Sequence, residues 1–549
     1  MKDLTIFFAL GLLFSVWFTI LTPADRFADP DAFYHITMAR LITEHGPVTQ
    51  FPWLDMTTLG DHFADQHFLF HVLQIPFLYF LDPLTAARIS SIVFAVICML
   101  GISFVFYKLR VKLFWLWPIL LAFSQPFCTR LIQGKASPLA ILFYLLGLSI
   151  VLIHLPDSRF QIPDSKLRLV LIFFVSLFYS LSHGGWILLP ISILTLLLTD
   201  LVYAKFICKT AKFQILNSKF FCLIASLSGI AIGLAIHPGR NDLLSLLWIQ
   251  IAQIAIATPR ILRLGAEWNS VWGGDIIGLF AVFLPILLLA LVGFFLSPDF
   301  RRIDVSTSDA KYQIRLPPEA SAKEGNTKYD LRILSSLGLL LVILFAASVK
   351  NIRFAEYFQP VLALWVALLA SQVDWKKYIK LFQTSATIIG RSWLPALIVF
   401  CVFILIPLNI TRAYSSMHFS KRFLNDQYQI PLQAISAIAE PGARIYHSMW
   451  DEFPILFYQN QNFKYVSGLD PTFLYKKDSD LALDYQDLVF NRASSTQDEA
   501  WSLIHDRITA DFVIIDHERW PDLNNLIASD PRYLNLASGN GATAYQVLE

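Results

Sequence analysis

Asp29-Pro30-Asp31-Ala32-Phe33-Tyr34-His35 follows directly on the first hydrophobic run of the chain, with Arg40 and Gly46 just beyond it. Two carboxylates, an aromatic ring and a histidine at the mouth of a membrane helix are costly. An ionisable group near hydrocarbon loses several kcal/mol of hydration unless a cation, a proton or a partner offsets it. The cluster therefore marks a functional site, and it lies in a loop that a membrane-embedded bundle must hold in place.

The bundle is legible in composition. The 549 residues are 56% hydrophobic and 15% charged, against about 45–50% and 25% in soluble domains. Apolar runs long enough to cross about 30 Å of hydrocarbon stand near 4–22, 86–107, 113–127, 139–154, 167–181, 186–203, 220–236, 276–296, 333–349, 354–370 and 388–408. The expected fold class is thus a polytopic α-helical membrane protein of about eleven transmembrane helices with a C-terminal exported α/β domain. The run at 242–258 would upset that parity and reads as a helix in or near the outer interface. The first run has no small-residue cleavage site behind it and reads as a retained helix.

Lys and Arg concentrate around 108–112, 159–168, 205–219, 301–332 and 376–380. The positive-inside rule puts those loops in the cytoplasm, which places the loop 23–83 and everything after about residue 411 outside. Two domains are expected: a transmembrane part, 1–410, and an exported part, 411–549. In the tail, 443–446, 511–516 and 544–548 read as strands, with helices at 432–438 and 497–505. Within the first outer loop, 67–80 has helical apolar spacing but stops at Asp82-Pro83. An amphipathic helix on the outer membrane surface is expected there. The polar loop 297–329, with Pro317-Pro318, is expected to be cytoplasmic and flexible. All five cysteines lie in or beside spans, so no disulfide framework is expected in the tail. The net charge is +2, and no nucleic-acid partner is expected.

Three segments, in this order along the chain, resemble motifs of one family. They are Asp31-Ala32-Phe33-Tyr34-His35 with Phe51-Pro52-Trp53-Leu54-Asp55, then Arg263-Leu264-Gly265-Ala266-Glu267-Trp268, then Ser448-Met449-Trp450-Asp451. Together they resemble the first outer loop, the outer-loop glutamate motif and the Trp-Trp-Asp motif of oligosaccharyltransferase catalytic subunits. Those subunits are polyprenyl-phosphate-dependent glycosyltransferases of the GT-C class. Two departures matter. The acidic pair of the family's second outer loop is absent from Arg130-Leu131-Ile132-Gln133-Gly134-Lys135, where a lysine stands instead. The tail motif lacks the second Trp and the Tyr-Gly that follows in the family, since Met449 precedes Trp450 and Glu452-Phe453 follows Asp451, and the resemblance ties those positions to a peptide acceptor.

The resemblance implies transfer of a sugar or oligosaccharide from a polyprenyl-(pyro)phosphate donor to a protein, lipid or glycan acceptor on the outer face. The setting would be the cytoplasmic membrane of a bacterium or archaeon. Asp31 and Glu267 are the expected catalytic carboxylates, suited to general-base work or to a hard cation. The other reading of Asp31 is a helix cap. Arg130, Lys135 and Arg353 are expected to hold the donor phosphate, with a structural ion pair to Glu356 as the alternative for Arg353. Trp450 and Asp451 are expected at the acceptor, Trp450 as an aromatic platform or as an interface anchor. A divalent cation, magnesium or manganese, would take Asp31, Glu267, Asp65 and His67 as ligands. His35, His183 and His237 are weaker candidates. The rival readings are a polyprenyl-monophosphate-dependent transferase acting on lipid or polysaccharide, and a non-enzymatic transporter of lipid-linked saccharides. Transport is disfavoured because ionisable residues gather in outer loops rather than at mid-membrane.

Overall fold

The computed structural model describes residues 2–152, 165–206, 214–256, 261–265, 268, 270, 274–280, 282–295, 331–376, 400–419, 423–490 and 495–548. Among them, six helices are long and apolar enough to cross a membrane: Lys2–Leu21, Pro83–Lys108, Gly184–Val202, Ser218–Ile236, Ile333–Lys350 and Ile352–Gln372. They stand on six of the expected runs and make this an integral membrane protein.

The other five runs behave differently, each for a local reason. The run at 113–127 divides into Leu116–Ala122 and Gln125–Leu131, because Ser124 is extended ahead of Pro126, whose nitrogen has no hydrogen for the bond back to residue 122. Both pieces are buried in the bundle core through Trp117, Leu121, Phe127 and Leu131. The run at 276–296 likewise splits into Gly274–Phe280 and Leu284–Phe295. Ser137–Leu152 is a helix of 16 residues, about 24 Å long at 1.5 Å per residue. Ser165–Ser182 carries Lys166 and Arg168 in its first turn. Most of 388–408 lies outside the described residues, as does the whole loop 297–329.

Close packing within the bundle is visible where Ser218–Ile236 meets Ser165–Ser182. A Cβ on Gly229 would stand 2.2 Å from the Phe173 carbonyl oxygen, and one on Gly233 2.1 Å from Ser180 Oγ. This Gly-x-x-x-Gly face brings the two backbones together as small residues do in lipid, and Ser176 Oγ donates to Ser226 Oγ at 2.9 Å beside it. The run at 242–258 is helical over Arg240–Trp248 and continues as a wider π-helical stretch over Ile249–Ile256.

The tail carries a five-stranded sheet. Its strands are β1 (Arg444–His447), β2 (Lys464–Tyr465), β3 (Phe512–Asp516), β4 (Tyr533–Gly539) and β5 (Ala542–Val547), in the order β2-β1-β3-β5-β4. β1 runs parallel to β2 and β3, whereas β5 is antiparallel to β3 and β4. The β4–β5 turn is Asn540-Gly541, both at positive φ, the combination that tight two-residue hairpins favour.

The loop 23–83 and the tail share one hydrophobic core. Phe51 stacks on Phe63 at 4.6 Å and packs against Phe453 and Phe457 of the tail. Trp53 Nε1 donates to the Gln461 carbonyl at 2.7 Å, and Asp55 bridges Arg444 and Lys464 at 3.0 and 2.9 Å. The helix Ile406–His418 runs straight through residues 410 and 411. Phe68–Leu78, expected on the membrane surface, instead buries Phe70, His71 and Gln74 against the Asp31–His45 and Pro83–Lys108 helices. Its polar side chains face inward, where Gln74 Nε2 donates to Ser90 Oγ at 3.3 Å.

Candidate functional site

The stretch that opened the sequence reading begins the Asp31–His45 helix. Asp29 Oδ1 accepts the Asp31 N–H at 3.1 Å, so the first carboxylate fixes the turn that presents the second. Peptide dipoles at a helix N-terminus favour the carboxylate placed there. Lys135 Nζ lies 2.9 Å from Asp29 Oδ2 and 2.9 Å from Asp31 Oδ2. Gly134 makes this approach available: it takes φ +76°, and a Cβ on it would stand 2.5 Å from the Cβ of Ala32. The Lys135 ammonium therefore closes on both carboxylates of the 23–83 loop.

Asp31 and Lys135 line a cavity of about 90 Å³, together with His35, His67, His183, Trp268 and Arg353. The Arg353 guanidinium sits over the Trp268 ring at 4.9 Å, and its Nη2 is 3.4 Å from His183 Nε2. His183 Nδ1 accepts the Gly185 N–H at 2.8 Å. The guanidinium supplies the donors of this wall, an arrangement suited to an anion.

Histidines form the floor. Asp65 is buried, and its Oδ2 accepts from His71 Nδ1 at 2.7 Å while Oδ1 accepts the His67 N–H at 3.1 Å. His71 Nε2 is 2.7 Å from His35 Nδ1. His67 Nδ1 donates to the Ser182 carbonyl at 3.2 Å, and His237 Nε2 donates to the Asp65 carbonyl at 2.9 Å. Burial pushes Asp65 upward, yet the charge and hydrogen bond of His71 and the nearby His67 outweigh it and hold the carboxyl below its ordinary value. Burial, then the His71 and His67 rings, pushes His35 well below the usual histidine range. The same burial, with His71, brings His67 down to about 3. The floor thus sets an ionised Asp65 beside His35 and His67, whose burial disfavours their charged forms.

Several expected site residues stand elsewhere. Arg130 does not line the cavity: its Nε donates to Glu356 Oε2 at 3.1 Å, so Glu356 takes Arg130 as its partner rather than Arg353. The pair clamps Gln125–Leu131 to Ala355–Gln372. Asp451 receives two bonds from Arg519, at 2.8 and 2.9 Å. Trp450 Nε1 donates to the Arg263 carbonyl at 3.2 Å, and Gln486 Oε1 accepts the Arg263 N–H at 2.7 Å. These contacts tie the tail to the segment that leads to Trp268. Trp450 acts there as an anchor for that segment and not as a cavity wall.

The metal set expected from sequence does not assemble among the described residues. Glu267 lies outside them. Both Asp65 oxygens are engaged by histidine donors, Asp31 closes on Lys135, and no group of three or more His, Cys, Asp or Glu converges as ligands. His71 was missed in the sequence. His71 was legible only as the fourth residue after His67, a spacing that puts two side chains on one helical face.

No family model matches the chain, nor does any curated protein sequence. Solved structures do. The oligosaccharyltransferase AglB of Archaeoglobus fulgidus in the apo form is 12% identical and superposes with a TM-score of 0.60 over 100% of this chain and 74% of its own. AglB with an inhibitory peptide and dolichol-phosphate gives 0.56, and AglB with zinc and sulfate 0.52, each at 12% identity, covering 99% and 98% of this chain and 74% and 73% of their own. ArnT of Cupriavidus metallidurans, in the apo state, gives 0.51 at 13% identity, over 99% of this chain and 97% of ArnT. Identity so low makes the likeness one of fold. From end to end, this chain has the GT-C fold that AglB and ArnT share.

Proposed function

We propose that this chain is an integral-membrane glycosyltransferase that moves a sugar or oligosaccharide from a polyprenyl-(pyro)phosphate donor to an acceptor on the outer membrane face. One observation carries the reading: on a fold also found with dolichol-phosphate bound, one cavity is lined both by the cationic donors Lys135 and Arg353 and by the acceptors Asp31, which Lys135 contacts, and two buried imidazoles. Transfer needs these two poles. Cationic groups stabilise the charge that develops on the leaving phosphate where water is excluded, and acceptors orient the attacking group. Arg353, stacked on Trp268, is the phosphate clamp, and Lys135 holds Asp31 in place while adding its charge. Glu267, one residue before Trp268 in sequence, is assigned to the acceptor side.

A second reading, a polyprenyl-monophosphate donor, draws support from Lys135 at the position of the family's acidic pair and from the near-equal length of ArnT, 97% of which is covered. A monophosphate leaving group carries less charge for a cation to offset, and a fixed ammonium suits it. A divalent cation, magnesium or manganese, is assigned an auxiliary part.

The test is donor turnover by purified protein with polyprenyl-phosphate and polyprenyl-pyrophosphate sugars, scored as released lipid phosphate. Release that disappears in Asp31→Asn while the protein still inserts is the expected result. Movement of intact lipid across a vesicle without cleavage would favour the transporter and overturn the proposal.

A further inference from the structure

Behind the cavity wall runs a hydrogen-bonded chain: Asp65, His71, His35. Its two links are 2.7 Å each, and its members are 3%, 0% and 3% exposed. We propose that this chain is a proton relay that makes His35 the general base for a hydroxyl-bearing acceptor, a reading that rests on the glycosyltransferase assignment.

With His71 in its neutral form, the direction of the relay follows from the donor and acceptor inventory. An ionised Asp65 accepts only, so His71 Nδ1 carries the hydrogen of the first link. In the neutral ring His71 Nε2 is then bare and accepts, so His35 Nδ1 carries the hydrogen of the second link. His35 Nε2, on the other edge of the ring, is left as a lone pair at the cavity that His35 lines. The second hydrogen bond thereby fixes which nitrogen faces the substrate. Around His35 stand His71, His67, Lys135 and His183, with Tyr34 against its ring and Asp31 on the same cavity. His67 also ends in a bare Nε2, but its Nδ1 donates to a backbone carbonyl, which takes up no charge.

The acceptor O–H bond breaks and its proton goes to His35 Nε2. The acceptor oxygen pair forms the bond to the sugar anomeric carbon, and the bond from that carbon to the phosphate oxygen breaks with its pair going to the polyprenyl phosphate. The His35 Nδ1 proton moves to His71 Nε2, leaving the positive charge on His71 against the Asp65 carboxylate. His35 is the catalytic residue here, whereas His71 and Asp65 are positioning residues.

The relay makes a claim about tautomers that needs no turnover. In protein labelled with ¹⁵N-histidine and held in nanodiscs, long-range proton–nitrogen correlations should show His35 and His71 both as Nδ1–H with bare Nε2. His35→Gln and His71→Gln assign the signals. In Asp65→Asn the amide donates to His71 Nδ1, which reverses both rings and turns His35 Nε2 into a donor. With a short-chain polyprenyl-phosphate hexose as donor and an alkyl glycoside as acceptor, Asp65→Asn and His35→Gln should each lower kcat about a hundredfold or more with donor KM unchanged. Imidazole should restore part of the rate to His35→Gly. Wild-type His35 with Nε2–H, beside intact sugar transfer, would overturn the relay and leave the transferase standing. The stated tautomers in a protein that transfers no sugar would overturn the transferase reading and the base role with it. Full activity of Asp65→Asn would overturn the relay whatever the spectra show.

Discussion

At the scale of single residues, the site is organised by which group neutralises which. Lys135 sits 2.9 Å from both Asp29 and Asp31, so its loss leaves two carboxylates facing each other at a helix mouth. Lys135→Gln should lower donor turnover about tenfold to a hundredfold with insertion unchanged, and chelator should lower wild-type turnover only partly. Unchanged turnover in the variant, with complete and reversible loss on chelation, would show that a full metal site does the work. His67 supplies a pH signature. Its folded value of about 3 lies below the ordinary 6.5, so the unfolded chain binds the extra proton between those limits. The stability it contributes is fully present above about pH 6.5 and is lost as pH falls toward 3, at about 1.4 kcal/mol per unit. Melting in detergent from pH 7 to 4 should show a shallower loss in His67→Gln than in wild type, and identical slopes would refute the assignment.

Among elements, backbone chemistry decides where charge arrives. Gly134 is the hinge on which Lys135 reaches the Asp31–His45 helix, and Ala there meets both a positive φ and a 2.5 Å contact with Ala32. Gly134→Ala should cost about 1–3 kcal/mol of stability and, by moving Lys135 away, lower turnover as Lys135→Gln does; the paired readout is thermal melting and lipid-phosphate release. A variant as stable and as active as wild type would remove the hinge. What sequence could disclose follows the same division. Long, uninterrupted apolar runs such as 86–107 showed themselves by length, whereas 113–127 concealed the break that Ser124 and Pro126 impose. Strand β5 was read, but its partner β4 was not, although Asn540-Gly541 announced the hairpin. The acidic stretch was legible because charge at a membrane mouth is rare. Its contact with Lys135 was not, since that pairing joins segments far apart in the chain through tertiary packing, which local spacing does not encode.

For the whole molecule, the question is whether the tail is a passenger or a wall of the site. Phe51, Trp53 and Phe63 of the first loop fill the core that Phe453 and Phe457 begin, and Trp450 with Gln486 fixes the segment leading to Trp268. Each buried aromatic lost from such a core forfeits about 2–3 kcal/mol, a large share of the 5–15 kcal/mol that holds a domain together. Residues 411–549 produced alone should therefore lack a cooperative melt and should bind a hydrophobic dye, whereas the tail within the full chain melts cooperatively. Asp55→Ala, which removes the bridge to Arg444 and Lys464, should loosen the same interface more gently and lower turnover without touching the cavity. The shared core also fixes sidedness, because loop and tail must lie on one face of the membrane. Cysteines introduced at exposed tail positions and in the 23–83 loop should be labelled together by an impermeant reagent from the outer face, and those in 297–329 should not. A folded, cooperatively melting 411–549 fragment would make the tail an independent domain. Labelling of loop and tail from opposite faces would contradict the packing outright.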